Sequence, residues 1–438
     1  MIVVGAVLST VTLGCGDDRR ARSDLPYQLR CDIADSECQS RIYRSLATML
    51  DADPENLPAI RTISPEQHAE EVRNDLDLND LTGEDALSRG LRLLGFIPDA
   101  AESLTATQAE YFINEIGAYY SQRDQTITVV DRGYGEVDAQ TLLAHEFTHA
   151  IQDRQFGINE VFADAISEDE FLGARGVVEG DATHSSWAWF YERVGYARGE
   201  IDWDTVFDDW QRSVRDAAAD SEVALIDAAS GYPYPYGAEL MAHVVSSKGL
   251  SGRAEMFRAP PVTTLELMLG FGANLPTFEF PVTAHPATLE GYSVGFEDRF
   301  GAWYAYGFLR RRGLIHRDAS EASRAWLGDR LAIYENGADV VAVWRMRFED
   351  AFYARYLVDG VSDDAAAAAW ETVLDEDEAF VFAAETVEAL QAWAALPLDE
   401  IEASLVPKAA RRGGGGVSVG DCFHARHVAL PNPPPLLN

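Results

Sequence analysis

His145 and His149 stand four residues apart in the segment LLAHEFTHAIQD (Leu142–Asp153), with Glu146 directly after the first. Residues at i and i+4 share one side of a helix, so both imidazoles can reach one metal ion. Zinc accepts neutral imidazole nitrogens, and a hydrolytic zinc site takes three protein ligands and keeps one position open. A glutamate beside the first histidine can take a proton from water and later deliver it to a leaving amine. Glu146 is therefore the expected general base. The competing role for the same residues is a polar patch on a solvated helix.

The third ligand must come from elsewhere. A histidine six residues after the second one, with a glycine between, is ruled out, because those positions hold Gln155 and Gln152. A Glu or His on a later helix is the alternative. Glu179, in GVVEGDATHSSWAWF, is the best candidate, since it is expected to open an amphipathic helix after Val177-Val178. Asp181, His184, Glu168 and Glu170 are its rivals, and His184 is the most serious because imidazole is a good zinc ligand.

The elements that must position these residues can be read from periodicity. Leu143, Phe147, Ala150 and Ile151 form a stripe predicting a helix from about Asp138 to Phe156, with Gly157 as its C-cap. Alternating apolar residues around Gln122–Gln125 predict a β-hairpin ending at Val130. Trp187, Phe190, Tyr191 and Val194 repeat at helical spacing after Glu179. Further helices are expected at Asp202–Arg215 and Ala238–Lys248, and the stretch from Arg41 to Phe96 reads as helical. Near Val294 the texture changes: a helix, two strands joined at Asn336-Gly337, then helices from Ala365 to Ala394.

A helix with HExxH followed by a later helix bearing Glu resembles the gluzincin zinc peptidases, the group that includes thermolysin. The preceding hairpin is similar too. The resemblance implies that its edge strand, around Ala118 to Tyr120, holds substrate by main-chain pairing. More widely, HEFTHAIQD, VVEGDAT, YPYGAEL, PPVTTLE and GDRLAIYENG resemble bacterial and archaeal surface proteins and lipoproteins inferred to be metallopeptidases, over roughly Tyr111 to Tyr356. The group usually carries an aspartate four residues after the ligand glutamate to orient the first histidine. Here that position is Thr183, which brings no charge, and Asp181 is expected to point away from Glu179 on a helix. Asp153, one turn beyond His149, is another possible orienter. The group often stabilises the oxyanion with Tyr or His. Tyr236 is the catalytic candidate, in a loop fixed by Pro and Gly before a helix, with Tyr234 and His243 as alternatives.

The 438 residues are 47% hydrophobic and 11% aromatic, enough for a packed core. The net charge of −37 argues against nucleic acid as a partner and against adsorption to anionic lipid. The apolar run Ile2–Leu13 is too short to span a bilayer and suits a signal peptide. It ends in TVTLGCG, which resembles a bacterial lipoprotein box with Cys15 as the lipidated residue. Two features depart from that pattern: no Lys or Arg precedes Cys15, and Thr12 replaces a large aliphatic residue. A plain secretory signal is the alternative. An exported chain would allow a Cys31–Cys38 disulfide.

The expected architecture is α+β. Residues 1–15 are a signal peptide, 16–40 a tether, and 41–293 a predominantly helical zincin-like domain with a small antiparallel sheet. Residues 294–406 are a helix–hairpin–helix unit and 407–438 a disordered tail. The expected function is an exported, lipid-anchored, zinc-dependent peptidase with a peptide or protein substrate, ligands His145, His149 and Glu179, and catalytic Glu146 and Tyr236. The alternative is a surface binding or structural lipoprotein with a relic, inactive zinc site.

Overall fold

A computed structural model describes residues 29–75, 85–98, 103–221, 223–360, 369–398 and 422–426. The expected signal segment, Cys15 and the first part of the tether lie outside the described residues. The chain is mixed α+β.

Asp35 caps α1 (Ser36–Met49), its carboxylate accepting from the Glu37 amide. Cys31 and Cys38 are disulfide-bonded. Residues 29–40 are therefore not a free tether: Leu29 is fully buried, and the Gln140 amide donates to the Leu29 and Cys31 carbonyls. Next come β1 (Ala59–Ile63), α2 (Pro65–Asp75), α3 (Ala86–Leu93) and α4 (Leu104–Glu115). The expected hairpin is present as β2 (Ile116–Ser121) and β3 (Thr126–Val130). The HExxH helix is α5 (Glu136–Phe156), ended by Gly157 at φ 68°, where a side chain would be strained.

After α6 (Ile158–Phe162) comes α7 (Glu168–Val194). It begins eleven residues earlier than expected (179 − 168), because Ser167 caps it and Glu168, Asp169 and Glu170 sit at the positive end of its dipole. Glu179 is thus near mid-helix. α8 (Trp203–Asp220), α9 (Ala224–Gly231), α10 (Pro233–Arg258) and α11 (Thr264–Leu269) follow. Pro233 suits a first helical turn, so the expected loop at Tyr234–Tyr236 is helical instead.

The remainder is β4 (Ser293–Asp298), α12 (Ala302–Arg311), α13 (His316–Arg324), β5 (Trp326–Glu335), β6 (Val340–Phe348), α14 (Ala351–Gly360), β7 (Ala369–Asp375), β8 (Glu378–Ala384), α15 (Val387–Ala394) and β9 (Cys422–Arg426). The continuous helices expected over Ala365–Ala394 give way to the β7–β8 hairpin, which turns at Glu376 with φ 51°. Phe380, Val381 and Phe382 are β-formers that also fit a fully buried strand. The C-terminal unit is accordingly a five-stranded antiparallel sheet, ordered β4-β5-β6-β8-β7, with flanking helices.

The smaller sheet is ordered β1-β3-β2-β9. It is mixed rather than antiparallel, because the unexpected β1 pairs parallel to β3. β9 comes from the tail expected to be disordered and pairs antiparallel to β2. One buried cluster, which includes Leu91, Val214, Tyr236, Trp303, Trp326 and Trp344, runs across residue 294 and joins the helices to the larger sheet. A second cluster packs Ala118 and Tyr120 of β2 against Leu142, Leu143 and Phe147 of α5, and against Trp187 and Trp189 of α7.

Candidate metal centre

Three buried side chains converge where α5 meets α7. His145 Nε2 lies 3.2 Å from Glu179 Oε2 and 3.0 Å from His149 Nε2, and His149 Nε2 is 3.4 Å from the same carboxylate oxygen. His149 and Glu179 are fully buried, and His145 is 6% exposed. One ligand atom from each falls within 4.8 Å of the others, so the group can hold a metal ion. Two imidazole nitrogens and a carboxylate oxygen converging on one point are a common donor set for a divalent metal. Glu146 is fully buried in the same turn of α5.

Glu179 dominates the electrostatics of the group: burial disfavours the His149 imidazolium, but the Glu179 carboxylate outweighs it and raises the His149 pKa above the usual histidine value. Burial keeps the His145 imidazolium disfavoured, so its pKa lies below the usual histidine value. Burial opposes ionisation of Glu179, yet hydrogen bonds from His145 and His149 and the Arg175 guanidinium hold its carboxyl below the ordinary range. Arg175 Nε is 3.6 Å from Glu179 Oε1, one turn earlier on α7.

Glycines let α7, which bears Glu179, meet α10, which bears Tyr234. A Cβ on Gly180 would collide with the backbone of Gly237 on α10, and one on Gly237 with the backbone of Gly176. The helices α7 and α10 therefore touch backbone to backbone, with Glu179 and Tyr234 on either side of the contact.

A polar relay orients His149. Its Nδ1–H donates to Gln152 Oε1 at 2.8 Å, which leaves Nε2 as the metal-facing nitrogen. Gln152 Nε2 donates to the Val178 carbonyl at 2.9 Å and to Asp181 Oδ2 at 2.8 Å. Arg253 clamps Asp181, with Nε 2.8 Å from Oδ1 and Nη2 2.8 Å from Oδ2, and its Nη1 donates to Gln155 Oε1 at 2.5 Å. Asp181 points away from Glu179 as expected, and this is where it goes. The relay was missed in the sequence. Its one legible sign is Gln152 at i+3 from His149.

The other candidates are elsewhere. His184 packs edge-on to Trp203 at 4.8 Å, and burial pushes its pKa down to about 4. Glu168 accepts from the Tyr304 hydroxyl, and Glu170 pairs with Arg299 at 2.7 Å. Thr183 Oγ1 is buried without a hydrogen bond, so it does not orient His145. Asp153 accepts from the Tyr120 hydroxyl at 3.0 Å and from the Ile158 amide, a structural role instead of a ligand-orienting one.

Tyr236 does not face the histidines. Its hydroxyl accepts from Arg215 at 3.2 Å, and its ring lies against Tyr232 and Trp303. Tyr234, two residues away and so on another side of α10, stacks on the His145 ring at 5.9 Å. Burial holds its phenol pKa well above the ordinary value, and Arg175 hydrogen-bonds to it. His243 pairs with Asp204 at 2.8 Å in a more exposed group with Glu239, whose carboxylate accepts from Gln211.

Searches against protein families, curated proteins and solved structures return no match to this chain.

Proposed function

We propose that the protein is a zinc-dependent peptidase of gluzincin type with a zincin-like catalytic domain. The observation that carries this reading is a fully buried Glu146 in the same helical turn as two histidines that converge on a glutamate from another helix. A site kept only to hold a metal has no need of that extra carboxylate. Zinc bound by His145, His149 and Glu179 would supply Lewis acidity, polarising the scissile carbonyl and making water more acidic. Glu146 accepts a proton as water attacks the carbonyl carbon, then returns it to the nitrogen as the C–N bond breaks. Tyr234, kept protonated by burial, donates to the oxyanion that develops. Arg175 steadies both Tyr234 and Glu179.

Export and envelope anchoring belong to the same proposal. The Cys31–Cys38 disulfide suits an oxidising compartment, and TVTLGCG would anchor the chain through Cys15. No described helix is long and apolar enough to cross a membrane.

The test is elemental analysis of the purified protein with a broad peptide library. The parent should hold one zinc per chain and cleave peptides. Glu146→Gln should keep the metal and lose roughly 10²–10⁴-fold in rate. Glu179→Ala should lose the metal, whereas retention there with loss in His184→Ala would overturn the ligand set. A parent that holds zinc and cleaves nothing would favour a binding protein with a relic site.

A further inference from the structure

The smaller sheet carries a strand recruited from far along the chain. β9 pairs antiparallel with β2 on the side away from β3, with Ala425 opposite Ala118, His424 opposite Tyr119 and Phe423 opposite Tyr120. Without it, β2 would present an unpaired row of backbone donors and acceptors, the standard template for an extended peptide.

The position of β2 gives that edge its meaning. The space beside Gly117 is bounded by Leu142, and the Tyr120 hydroxyl reaches Asp153, so β2 runs alongside α5 from Leu142 toward Asp153. Leu142, Glu146, His149 and Asp153 follow one another at i, i+4, i+7 and i+11 and share a face. Ala118 and Tyr119 therefore stand level with the turn that carries His145, Glu146 and His149. The tail residues paired with them stand there too, and β9 itself lies against α5.

We infer that residues 422–426 of this chain form an inhibitory strand, occupying in cis the outer edge of β2, where the resemblance to the gluzincins expects substrate to pair. The tail therefore lies across the approach to the metal centre and competes with any other peptide for the same backbone groups. Ligand recognition here is by main-chain pairing, so the site takes extended peptides of varied sequence. The effect on catalysis rests on the peptidase reading above; the occupancy of the edge does not.

The experiment uses the full chain and the double variant Phe423→Pro/Ala425→Pro, which removes two backbone donors from β9. A chain ended after Arg412 serves as a second variant should the prolines disturb folding, which near-UV circular dichroism reports. Three readouts are taken: hydrogen exchange of the β2 amides, anisotropy of a labelled synthetic peptide of residues 418–430, and peptide cleavage. In the parent the β2 amides should be protected and the labelled peptide should not bind. In the variants exchange should accelerate, the peptide should bind, and cleavage should rise roughly tenfold, as for a tail that leaves about a tenth of the sites open. Equal β2 exchange in parent and folded variants overturns the occupancy. Faster exchange without peptide binding overturns the docking site. Faster exchange and binding with equal, measurable cleavage overturns the gating. Cleavage by neither form, with exchange and binding as expected, defeats the peptidase reading and leaves the occupancy of the edge standing.

Discussion

At the scale of the residue, the candidate metal centre is set by side chains outside the ligand group. His149 presents Nε2 because its Nδ1–H donates to Gln152 Oε1, and Gln152 is oriented to accept because its own amide nitrogen donates to Val178 and Asp181. Replacing Gln152 with Ala releases the imidazole and leaves Asp181 one partner short. Zinc affinity of Gln152→Ala, read by competition with a chromophoric chelator, should fall about 10–100-fold while secondary structure is unchanged. An affinity equal to the parent's would show that the relay is only scaffolding. The two tyrosines separate in the same way. Tyr234→Phe should lower kcat by roughly 10²-fold with little change in KM or metal content, because in the proposed mechanism it removes a donor used only as the oxyanion forms. Tyr236→Phe should leave kcat near the parent's, since that hydroxyl is spent on Arg215.

At the scale of the element, the position of Glu179 depends on α7 crossing α10 at van der Waals distance of their backbones. Gly180→Ala would put a methyl group into the Gly237 backbone, which cannot rotate aside. The helices must separate, at about 3 kcal/mol or more, and Glu179 moves with α7. Denaturant unfolding should show that loss, and zinc affinity should fall with it. If stability is intact, the contact is looser than described. The start of α7 carries a different device. Asp169 is fully buried, accepts from the Thr264 amide and hydroxyl at 2.7 Å each, and pairs with Arg299 at 3.3 Å. Burial outweighs these contacts and pushes its pKa up to about 7 from an ordinary 3.8. The folded state thus holds the Asp169 proton more tightly than the unfolded chain does. Its contribution is complete below the unfolded pKa, declines as pH rises toward 7, and is flat above. The stability of the parent relative to Asp169→Asn should fall between pH 5 and 7 by up to ~1.4 kcal/mol per pH unit. A difference independent of pH would mean that the carboxylate is ionised throughout.

At the scale of the whole molecule, two properties dominate. One buried cluster ties the helices bearing the site to the five-stranded sheet, so the sheet is part of the scaffold instead of an appended unit. The other is charge. A net charge of −37 makes the folded chain repel itself. Raising salt from 10 to 150 mM shortens the screening length from about 30 to about 8 Å. The Tm should therefore rise over that range, and differential scanning calorimetry at constant pH would measure it. A fall would mean that favourable ion pairs, such as Arg253–Asp181 or Arg345–Glu378, outweigh the repulsion.

What the sequence determined by itself is local. The spacing of His145, Glu146 and His149 places them on one helix, and the stripe of Leu143, Phe147, Ala150 and Ile151 makes that helix a core element. The turn residues around Arg123 and at Asn336-Gly337 mark two hairpins. These features rest on contacts within a few residues, which periodicity records. The same local reading missed the true start of α7, the β7–β8 hairpin and β1, because capping, strand burial and parallel pairing depend on neighbours distant in the chain. Only the tertiary structure set Tyr234 beside His145 and Tyr236 beside Arg215, since a helix where a loop was expected turns them to different sides. It alone recruited Asp181 and Arg253 to His149 across 32 and 104 positions (181 − 149; 253 − 149). It also brought Cys422–Arg426 back to β2. Backbone pairing is indifferent to side-chain type, so no pattern in the tail could have announced where it docks.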